Sequence, residues 1–319
     1  MDYTCCGISG LQLPRISLGL WHNFGFSDNF DEASRMIRYA FNNGVTHFDL
    51  ANNYGIPPGS AEINFGKILS SQLKTHRDEM IISSKAGHRM WDGPYGDGGS
   101  RKSLLASIDQ SLSRTGLDYF DLFYSHRYDP NTPLEETAQA LIDIVKQGKA
   151  LYIGISKYPA EQAQRMYELL EAQRVRCLVY QGRYNLFERS PEKEIFPLNE
   201  KQGVGFIAFS PLAQGLLSNK YLNGIPDSSR IARGSAFLKQ EHITPQVLDK
   251  ITRLNDLAKK RNQSLAEMSI AWILSQEQVT SVVVGASSVN QLENSLEAMK
   301  KMNFDDSEQE TIESILSHE

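Results

Sequence analysis

The sequence predicts an α/β fold of the (β/α)8 class, a TIM barrel, and three observations support this prediction. Short apolar runs alternate with longer amphipathic segments along the 319 residues. The short runs are apolar at almost every position, which is typical of parallel strands that are covered on both faces by helices. Eight strand–helix units in a chain of this length fit a closed barrel better than an open doubly wound sheet.

Eight segments are predicted as strands. In chain order they are Arg15–Leu20, Val45–Leu50, Glu79–Ser84, Tyr119–Ser125, Ala150–Ile155, Cys177–Tyr180, Val204–Phe209 and Ser281–Val284. Because the first of them begins near Arg15, little chain is left before the barrel.

The segments between the strands have the periodicity of helices. In Glu135–Lys146, apolar residues recur at i, i+3, i+4 and i+7 from Ala138 onward, which gives the helix one apolar stripe to place against a sheet. Gly148 follows as the expected stop. Three other segments behave in the same way, namely Ser103–Leu112, Glu161–Leu170 and Leu265–Leu274.

No composition break divides the chain, so residues 1–319 are predicted to form a single domain. The Gly-rich segment Gly93–Gly99 is interpreted as a loop after the third strand. The run Gly203–Ala208 has the form G-x-G-x-x-A, but it enters a strand instead of leaving one and is therefore interpreted as a turn. The segment after the seventh strand, about 210–245, is longer than usual connections and is predicted to be an ordered lid.

Composition excludes several classes of protein. Lys and Arg number 33 against 38 Asp and Glu, a net charge of -5, whereas a nucleic-acid-binding protein is expected to have a basic surplus. Cys5, Cys6 and Cys177 form neither a disulfide framework nor a zinc motif, which favours a reducing compartment and no metal. Without a signal peptide or an apolar run of membrane-spanning length, the chain is predicted to be cytoplasmic, with no membrane partner.

Four polar residues stand at or just after consecutive predicted strand ends. Asp49 lies near the end of the second strand and Tyr54 in the loop after it, while Lys85 and His126 follow the third and fourth strands. Each alone has an ordinary structural explanation, such as a turn cap or a core imidazole. Together they indicate a site, because functional groups of a barrel gather at the C-terminal ends of its strands.

The segments that carry these residues resemble the aldo-keto reductases. The resemblance rests on Gly44–Gly55 (GVTHFDLANNYG), Gly59–Glu62 (GSAE), Ile81–Lys85 (IISSK) and Leu117–His126 (LDYFDLFYSH), and it continues to Gly285–Ser287. It implies that Asp49, Tyr54, Lys85 and His126 are the catalytic tetrad of that family.

These residue types suit the reduction of an aldehyde, which needs a hydride on carbon and a proton on oxygen. We expect Tyr54 to be the acid and a cationic Lys85 to lower its pKa. Asp49 would keep Lys85 charged, and His126 would donate a hydrogen bond that polarises the carbonyl.

The resemblance also implies NADPH as cofactor. Ser156 and Gln181 would bind the nicotinamide amide and Phe209 would stack on its ring. The other implied cofactor residues are Trp21, Asp49, Ser210, Pro211, Leu212, Gly215, Lys220, Arg230, Gly285, Ser287 and Gln291. Lys220 and Arg230 would meet the 2′-phosphate. Asn294 and Ser295 stand where family members carry Glu-Asn, a departure at the adenine end.

Within the family, the segments Gly19–Gly25, Trp91–Lys102 and Tyr221–Pro226 resemble the bacterial L-glyceraldehyde 3-phosphate reductases. The predicted substrate is therefore a small aldehyde, such as L-glyceraldehyde 3-phosphate or methylglyoxal. The predicted substrate residues are Trp21, Tyr54, Trp91 and His126, with His22 and Arg127 also near the pocket. An anion is expected to bind near Trp91, Tyr95 and Arg101, at the start of a helix from Ser100.

The sequence leaves two alternative functions. One is a cofactor-binding regulatory subunit that resembles the potassium-channel β-subunits, and the other is a hydrolase on the same barrel. Paired carboxylates at strand ends would favour the hydrolase, but Asp49 has a Lys and a Tyr beside it. Whether the chain forms a homo-oligomer is also left undecided by the sequence, since no helix face identifies an interface.

Overall fold

In a computed structural model, which describes residues 1–222, 224 and 238–317, eight parallel strands close into a barrel and confirm the predicted fold. Two strands precede it, β1 (Tyr3–Cys5) and β2 (Gln12–Pro14). The barrel strands are β3 (Ile16–Gly19), β4 (His47–Asp49), β5 (Ile81–Ala86), β6 (Phe120–Ser125), β7 (Ala150–Ser156), β8 (Cys177–Arg183), β9 (Gly205–Phe209) and β10 (Val279–Val284). They pair in chain order, and β10 closes the ring by pairing with β3.

Helices surround the barrel. They are α1 (Phe30–Asn42), α2 (Ser60–Ile68), α3 (Arg101–Thr115), α4 (Leu134–Lys146), α5 (Ala160–Glu171), α6 (Ile195–Gln202), α7 (Pro245–Lys260), α8 (Leu265–Leu274), α9 (Val289–Glu297) and α10 (Asp306–Ser317). The four helices named from the sequence are all present. As predicted, α4 buries its apolar stripe, including Ala138, Leu141 and Ile142. Gly203 ends α6 in a left-handed conformation and Gly205–Ala208 belong to β9, so the G-x-G-x-x-A run begins with a turn and enters a strand.

Two barrel strands extend further than the apolar runs. β5 continues to Ala86, which places Lys85 inside a strand paired with Tyr124, and β8 continues to Arg183, which places Gln181 inside a strand paired with Ser156. The main-chain pairing continues where the side chains become polar, so hydropathy alone underestimated both strands.

An antiparallel hairpin of β1 and β2 lies at the N-terminal end of the barrel, where the sequence predicted no strand before Arg15. Cys6 and Leu13 of this hairpin are fully buried and belong to one apolar cluster with barrel residues such as Leu122, Val179 and Ile207. The hairpin therefore covers the floor of the barrel. Its strands have three residues each, too short to show a period in the sequence.

The long segment after β9 is partly described. Short helical turns cover Ala213–Gly215, Asn219–Tyr221 and Gln240–His242, and α7 then begins at Pro245. Arg230 lies outside the described residues. Every helix in the described part of the chain is too short or too polar to span a membrane. The single domain for residues 1–319 stays a prediction.

A buried ion pair joins α2 to α3. The Glu62 carboxylate is fully buried, and its Oε2 lies 2.6 Å from Nε of Arg114, while Ser84 Oγ donates to Oε1 at 2.6 Å. Removing one member of such a pair leaves the other charge buried without a counter-ion. We expect Arg114→Met to lower the free energy of unfolding by about 3 kcal/mol, measured by urea denaturation.

The matched control is Arg165→Met, since Arg165 pairs with Glu135 and both side chains are more than half exposed. Exposed pairs contribute at most about 1 kcal/mol. If Arg114→Met were no more destabilising than Arg165→Met, the buried pair would not be a stabilising link between the two helices.

Candidate active site

Three neighbouring strands bring the four tetrad residues together at one end of the barrel. Asp49 is the last residue of β4, Lys85 is the last but one of β5, and His126 directly follows β6. Tyr54 lies in the loop between β4 and α2. The backbone N–H of His126 donates to the Ala86 carbonyl at 2.8 Å. This bond continues the β5–β6 pairing past the end of β6 and fixes the start of the loop that follows β6.

Lys85 and Asp49 form a buried ion pair. Nζ of Lys85 lies 2.6 Å from Oδ2 of Asp49 and donates to the Leu50 carbonyl at 2.7 Å. The Lys85 side chain is 0% exposed and that of Asp49 2%, so water cannot replace either partner. Burial lowers the pKa of Lys85, and the Asp49 charge opposes this shift. The geometry therefore supports the expected pairing of an ammonium with a carboxylate at this position.

Tyr54 completes this group from the loop. Nζ of Lys85 donates to the Tyr54 hydroxyl at 3.4 Å, a longer contact than those it makes with Asp49 and Leu50. Burial, followed by the negative charge of Asp49, raises the pKa of Tyr54 well above that of a free phenol. The net shift is therefore opposite to the lowering expected from Lys85, because burial disfavours the charged phenolate and the Asp49 charge adds to this effect. The phenol keeps its proton at neutral pH, which is the form an acid needs.

His126 faces Tyr54 with its ring edge, and the two ring centroids are 5.9 Å apart. Burial lowers the pKa of His126 well below its usual range, and the surrounding cations Lys85, Lys157 and Arg127, with His88, act in the same direction. The imidazole is therefore neutral at pH 7. Its Nδ1 is buried without a hydrogen-bond partner in the described part of the chain. A neutral imidazole carries one N–H, which it can donate to a ligand.

The residues expected to bind a nicotinamide amide lie on the opposite side of the barrel. Ser156 ends β7, and its buried hydroxyl makes no hydrogen bond with any described residue. Gln181 on β8 donates to Oδ1 of Asp49 at 3.1 Å. Phe209 ends β9 half-buried, with Nζ of Lys157 5.5 Å from its ring centroid. A buried hydroxyl that makes no hydrogen bond with a described residue, beside an amide and a half-buried aromatic ring, fits a nicotinamide ring with its carboxamide.

The chain after β9 has an unusual backbone. Ser210, Ala213 and Gln214 adopt positive φ angles of 54°, 45° and 62°, and Gly215 follows at 105°. Such left-handed residues are costly outside glycine and cluster at ligand sites, where successive backbone N–H groups can surround an anion. The Asn185 amide donates to the Ser210 carbonyl at 3.0 Å and holds the start of this turn. With Pro211 and Leu212, the segment fits the expected pyrophosphate cradle.

The residues predicted for the adenosine end are more exposed. Lys220, Gly285 and Ser287 are exposed, and Gln291 is half-buried, with its Oε1 accepting from the Ser287 backbone at 3.0 Å. The Ser295 hydroxyl donates to the Gln291 carbonyl at 2.9 Å. Asn294 is exposed on the same helix. Arg230, predicted with Lys220 for the 2′-phosphate, is not among the described residues.

The predicted substrate residues are only partly brought together. The Trp21 ring lies 6.2 Å from that of Tyr54 and 4.2 Å from that of His22. Trp91 is half-buried in the loop after β5, packed closely against Gly96, and within the described residues no ring contact joins it to Tyr54 or His126. Arg127 reaches Asp97, at 2.9 Å, and the Gly87 carbonyl.

The contacts of Arg101 do not support the anion site expected there. The Arg101 guanidinium pairs with the Asp143 carboxylate of α4, and its backbone N–H donates to Oε1 of Glu136 at 2.9 Å. Ser100 caps the N–H of Ser103 at the same helix start. Carboxylates of α4 therefore take the donors that the sequence assigned to a ligand.

Sequence reasoning overlooked polar groups inside the barrel, above all His47 and Ser83, both fully buried. His47 precedes Asp49 by two residues on the same face of β4, and Ser83 Oγ donates to Oδ1 of Asp49 at 2.8 Å. A signal was present, because each interrupts an otherwise apolar strand run that should face a dry interior.

The sequence of this chain is similar to those of known proteins. The model of the aldo/keto reductase family matches residues 15–317. The L-glyceraldehyde 3-phosphate reductases of Escherichia coli K12 and O157:H7 are 52% and 53% identical to this chain over 310 residues, 95% of this chain and 89% of each relative. A probable voltage-gated potassium channel subunit beta of Arabidopsis thaliana is 34% identical over 305 residues, 94% and 91% of the two chains. These matches extend over almost the whole chain.

Proposed function

The chain belongs to the aldo/keto reductase family, and from this premise we propose that it is an NADPH-dependent reductase of small aldehydes. The observation that carries the proposal is the buried Lys85–Asp49 pair with the Tyr54 hydroxyl and a neutral His126 beside it. This set combines a protonated phenol with a hydrogen-bond donor at one mouth of the barrel. The identity of 52–53% to two L-glyceraldehyde 3-phosphate reductases supports the same proposed function.

Each tetrad residue has one task in this proposal. Tyr54 donates its proton to the carbonyl oxygen as the oxygen gains negative charge. Lys85 holds the Tyr54 hydroxyl and stabilises the phenolate that remains, and Asp49 keeps Lys85 in place. His126 donates a hydrogen bond to the same carbonyl oxygen and orients it. NADPH, when bound, supplies the hydride to the carbonyl carbon.

The chain's own residues fit NADPH at the opposite side of the mouth. Ser156 and Gln181 would hold the carboxamide and Phe209 the ring face, with Trp21 and Asp49 also against the nicotinamide end. The turn Ser210–Gly215 would surround the pyrophosphate. Lys220 and Arg230 would favour the 2′-phosphate, since a phosphate dianion prefers charge-assisted donors. Gly285, Ser287 and Gln291 would contact the adenosine.

The charges around the mouth suit an anionic aldehyde. The cations that act on His126 are Lys85, Lys157 and Arg127, of which Lys85 pairs with Asp49 and Arg127 with Asp97. His88, whose pKa burial lowers to about 4, is neutral at pH 7. Lys157 is itself affected by Lys85, Arg183 and Arg127, which together with burial lower its pKa to about 8. A positive potential of this kind attracts a phosphorylated substrate such as L-glyceraldehyde 3-phosphate more strongly than neutral methylglyoxal. Trp21, with Trp91 in the loop after β5, is proposed on the substrate side.

A cofactor-binding regulatory subunit is the second candidate, motivated by the 34% identity to the channel β-subunit of Arabidopsis thaliana. Its support is weaker, since the reductases are more similar over the same part of the chain. A cytoplasmic location and a homo-oligomer stay predictions.

The proposal is tested by following NADPH absorbance with L-glyceraldehyde 3-phosphate, glyceraldehyde and methylglyoxal, and by repeating the assay with NADH. We expect turnover with all three aldehydes, the highest kcat/KM for the phosphorylated one, and a kcat/KM for NADPH about 10–100-fold above that for NADH, because charge-assisted contacts to the 2′-phosphate are lost with NADH. Lys220→Met should narrow the difference between the cofactors. Tight NADPH binding without turnover of any aldehyde would instead favour the regulatory candidate.

A further inference from the structure

A row of four buried polar side chains crosses the inside of the barrel and ends at Asp49. Adjacent strands contribute one each, Ser281 on β10, Ser17 on β3, His47 on β4 and Ser83 on β5, and all four are 0% exposed. We call these four residues the buried row. It includes no residue of the tetrad, and burying four polar groups is costly unless each is hydrogen-bonded.

The hydrogen bonds of the buried row are short and continuous. Ser281 Oγ donates to the Pro14 carbonyl at 2.6 Å and lies 2.7 Å from Ser17 Oγ. Ser17 Oγ lies 2.8 Å from Nδ1 of His47, and Nε2 of His47 lies 3.0 Å from Ser83 Oγ. Ser83 Oγ then donates to Oδ1 of Asp49 at 2.8 Å. The row therefore connects the floor of the barrel to the candidate active site.

The direction of these bonds follows from counting protons. Both ends of the row, the Pro14 carbonyl and the Asp49 carboxylate, can only accept. Because Ser83 uses its single proton on Asp49, it must accept from His47, so the proton of the imidazole lies on Nε2. Burial lowers the pKa of His47 to about 4, so the ring carries one proton at neutral pH and Nδ1 accepts from Ser17.

This arrangement leaves one contact of the row without a proton. The five contacts are shared by three hydroxyl protons and one imidazole proton. The bond from Ser83 to the charged Asp49 carboxylate is the strongest in the row and keeps its proton. The contact without a proton is therefore the one farthest from Asp49, between Ser17 and Ser281. The charged groups that act on His47 are Asp49, which favours its protonation, and Lys85, which opposes it.

From this geometry we propose that His47 and Ser83 are positioning residues, which hold the Asp49 carboxylate in the orientation that places Lys85 beside the Tyr54 hydroxyl. The proposal rests on the proposed reductase function. Oδ2 of Asp49 is bound by Lys85, while Oδ1 accepts from Ser83 and Gln181. Without Ser83, Oδ1 keeps only the longer 3.1 Å bond from Gln181 among the described residues. The carboxylate, and with it the ammonium bound to Oδ2, is then held less firmly relative to Tyr54.

Kinetics of variants test this role. Ser83→Ala should lower kcat about 10–100-fold, the effect expected for losing a hydrogen bond to a charged group, with little change in KM for the aldehyde. Ser83→Thr, which keeps the hydroxyl, should recover most of the loss. His47→Met should resemble Ser83→Ala, while His47→Gln, which keeps a donor near the place of Nε2, should be intermediate.

Ser84→Ala is the matched control. Ser84 is the next residue on β5, is equally buried, and donates to the Glu62 carboxylate on the outer side of the strand. It should lower the free energy of unfolding by a similar amount and leave kcat unchanged. Equal losses of kcat in the two alanine variants, or unchanged kcat in Ser83→Ala, would overturn the positioning role and leave both serines as structural.

A second measurement needs no turnover. Nitrogen NMR of protein with labelled histidines, with His47 assigned by its absence in His47→Gln, should show the neutral Nε2–H form from about pH 6 to pH 8, since these values lie above the pKa of His47, which burial lowers to about 4. Ser83→Ala should shift the Nε2 signal. A proton on Nδ1, or no response to Ser83→Ala, would overturn the assigned hydrogen bond from His47 to Ser83 and with it the positioning role of His47. If the wild-type protein failed to oxidise NADPH with any of the three aldehydes, the proposed function would fail, and this spectrum would still decide whether His47 donates to Ser83.

Discussion

Replacing Tyr54 by Phe is expected to lower kcat for aldehyde reduction by about 10²–10⁴-fold, the contribution of a well-placed general acid. The ring keeps its contacts with Trp21 and His126, so the change removes only the proton donor. NADPH affinity, measured by fluorescence titration, should stay within a factor of about two, because the hydroxyl contributes to the aldehyde side.

Tyr3→Phe is the matched control, since its hydroxyl also makes one hydrogen bond, to the Gly44 carbonyl at 2.9 Å near the floor of the barrel. It should turn over like the wild type. The raised pKa of Tyr54 adds a condition on pH: the phenol loses its proton only as pH rises through that raised value, so the acid should stay active to at least about pH 10. Wild-type turnover by Tyr54→Phe would remove Tyr54 from the proposal.

Replacing Lys85 by Met should affect both stability and turnover. It leaves the Asp49 carboxylate, 2% exposed, without its counter-ion, and breaking a buried pair in this way costs about 3–5 kcal/mol. Turnover should fall by roughly 10²-fold or more, because the phenolate left by proton transfer loses its neighbouring ammonium. Urea denaturation measures the first effect and NADPH absorbance the second.

The double variant Lys85→Met/Asp49→Leu separates the two effects. Replacing both members of a buried ion pair by apolar residues of similar size is often neutral for stability. The double variant should therefore regain most of the lost free energy of unfolding while remaining as inactive as Lys85→Met. If it regained turnover together with stability, the ion pair would be structural and Lys85 would not act on Tyr54.

The fold could be predicted from the sequence because the strands of a closed parallel barrel are buried on both faces and form nearly uninterrupted apolar runs. The same criterion failed where burial and polarity coincide: Lys85 and Gln181 lie inside their strands because main-chain pairing continues past the apolar run. The β1–β2 hairpin was missed for another reason, since strands of three residues leave no measurable alternation.

The candidate site shows a similar division. The tetrad residues could be located because strand ends of a barrel converge, and the structure places them around one ion pair. The partners of Arg101 could not be predicted, because Asp143 and Glu136 lie on another helix, more than thirty residues along the chain. The sign of the Tyr54 pKa shift also depends on the three-dimensional structure, because burial, followed by the charge of Asp49, sets it.

The hydrogen bond between Gln181 and Asp49 spans the lumen from β8 to β4. The Gln181 amide therefore contacts both parts of the proposed site, the strands proposed to bind the dinucleotide and the strands proposed to transfer the proton. Whatever engages Gln181 acts on the carboxylate that anchors Lys85. Under the proposed function, cofactor binding at Gln181 should therefore change the acid strength of Tyr54, and substitutions among the cofactor residues should be measurable in the pH dependence of turnover.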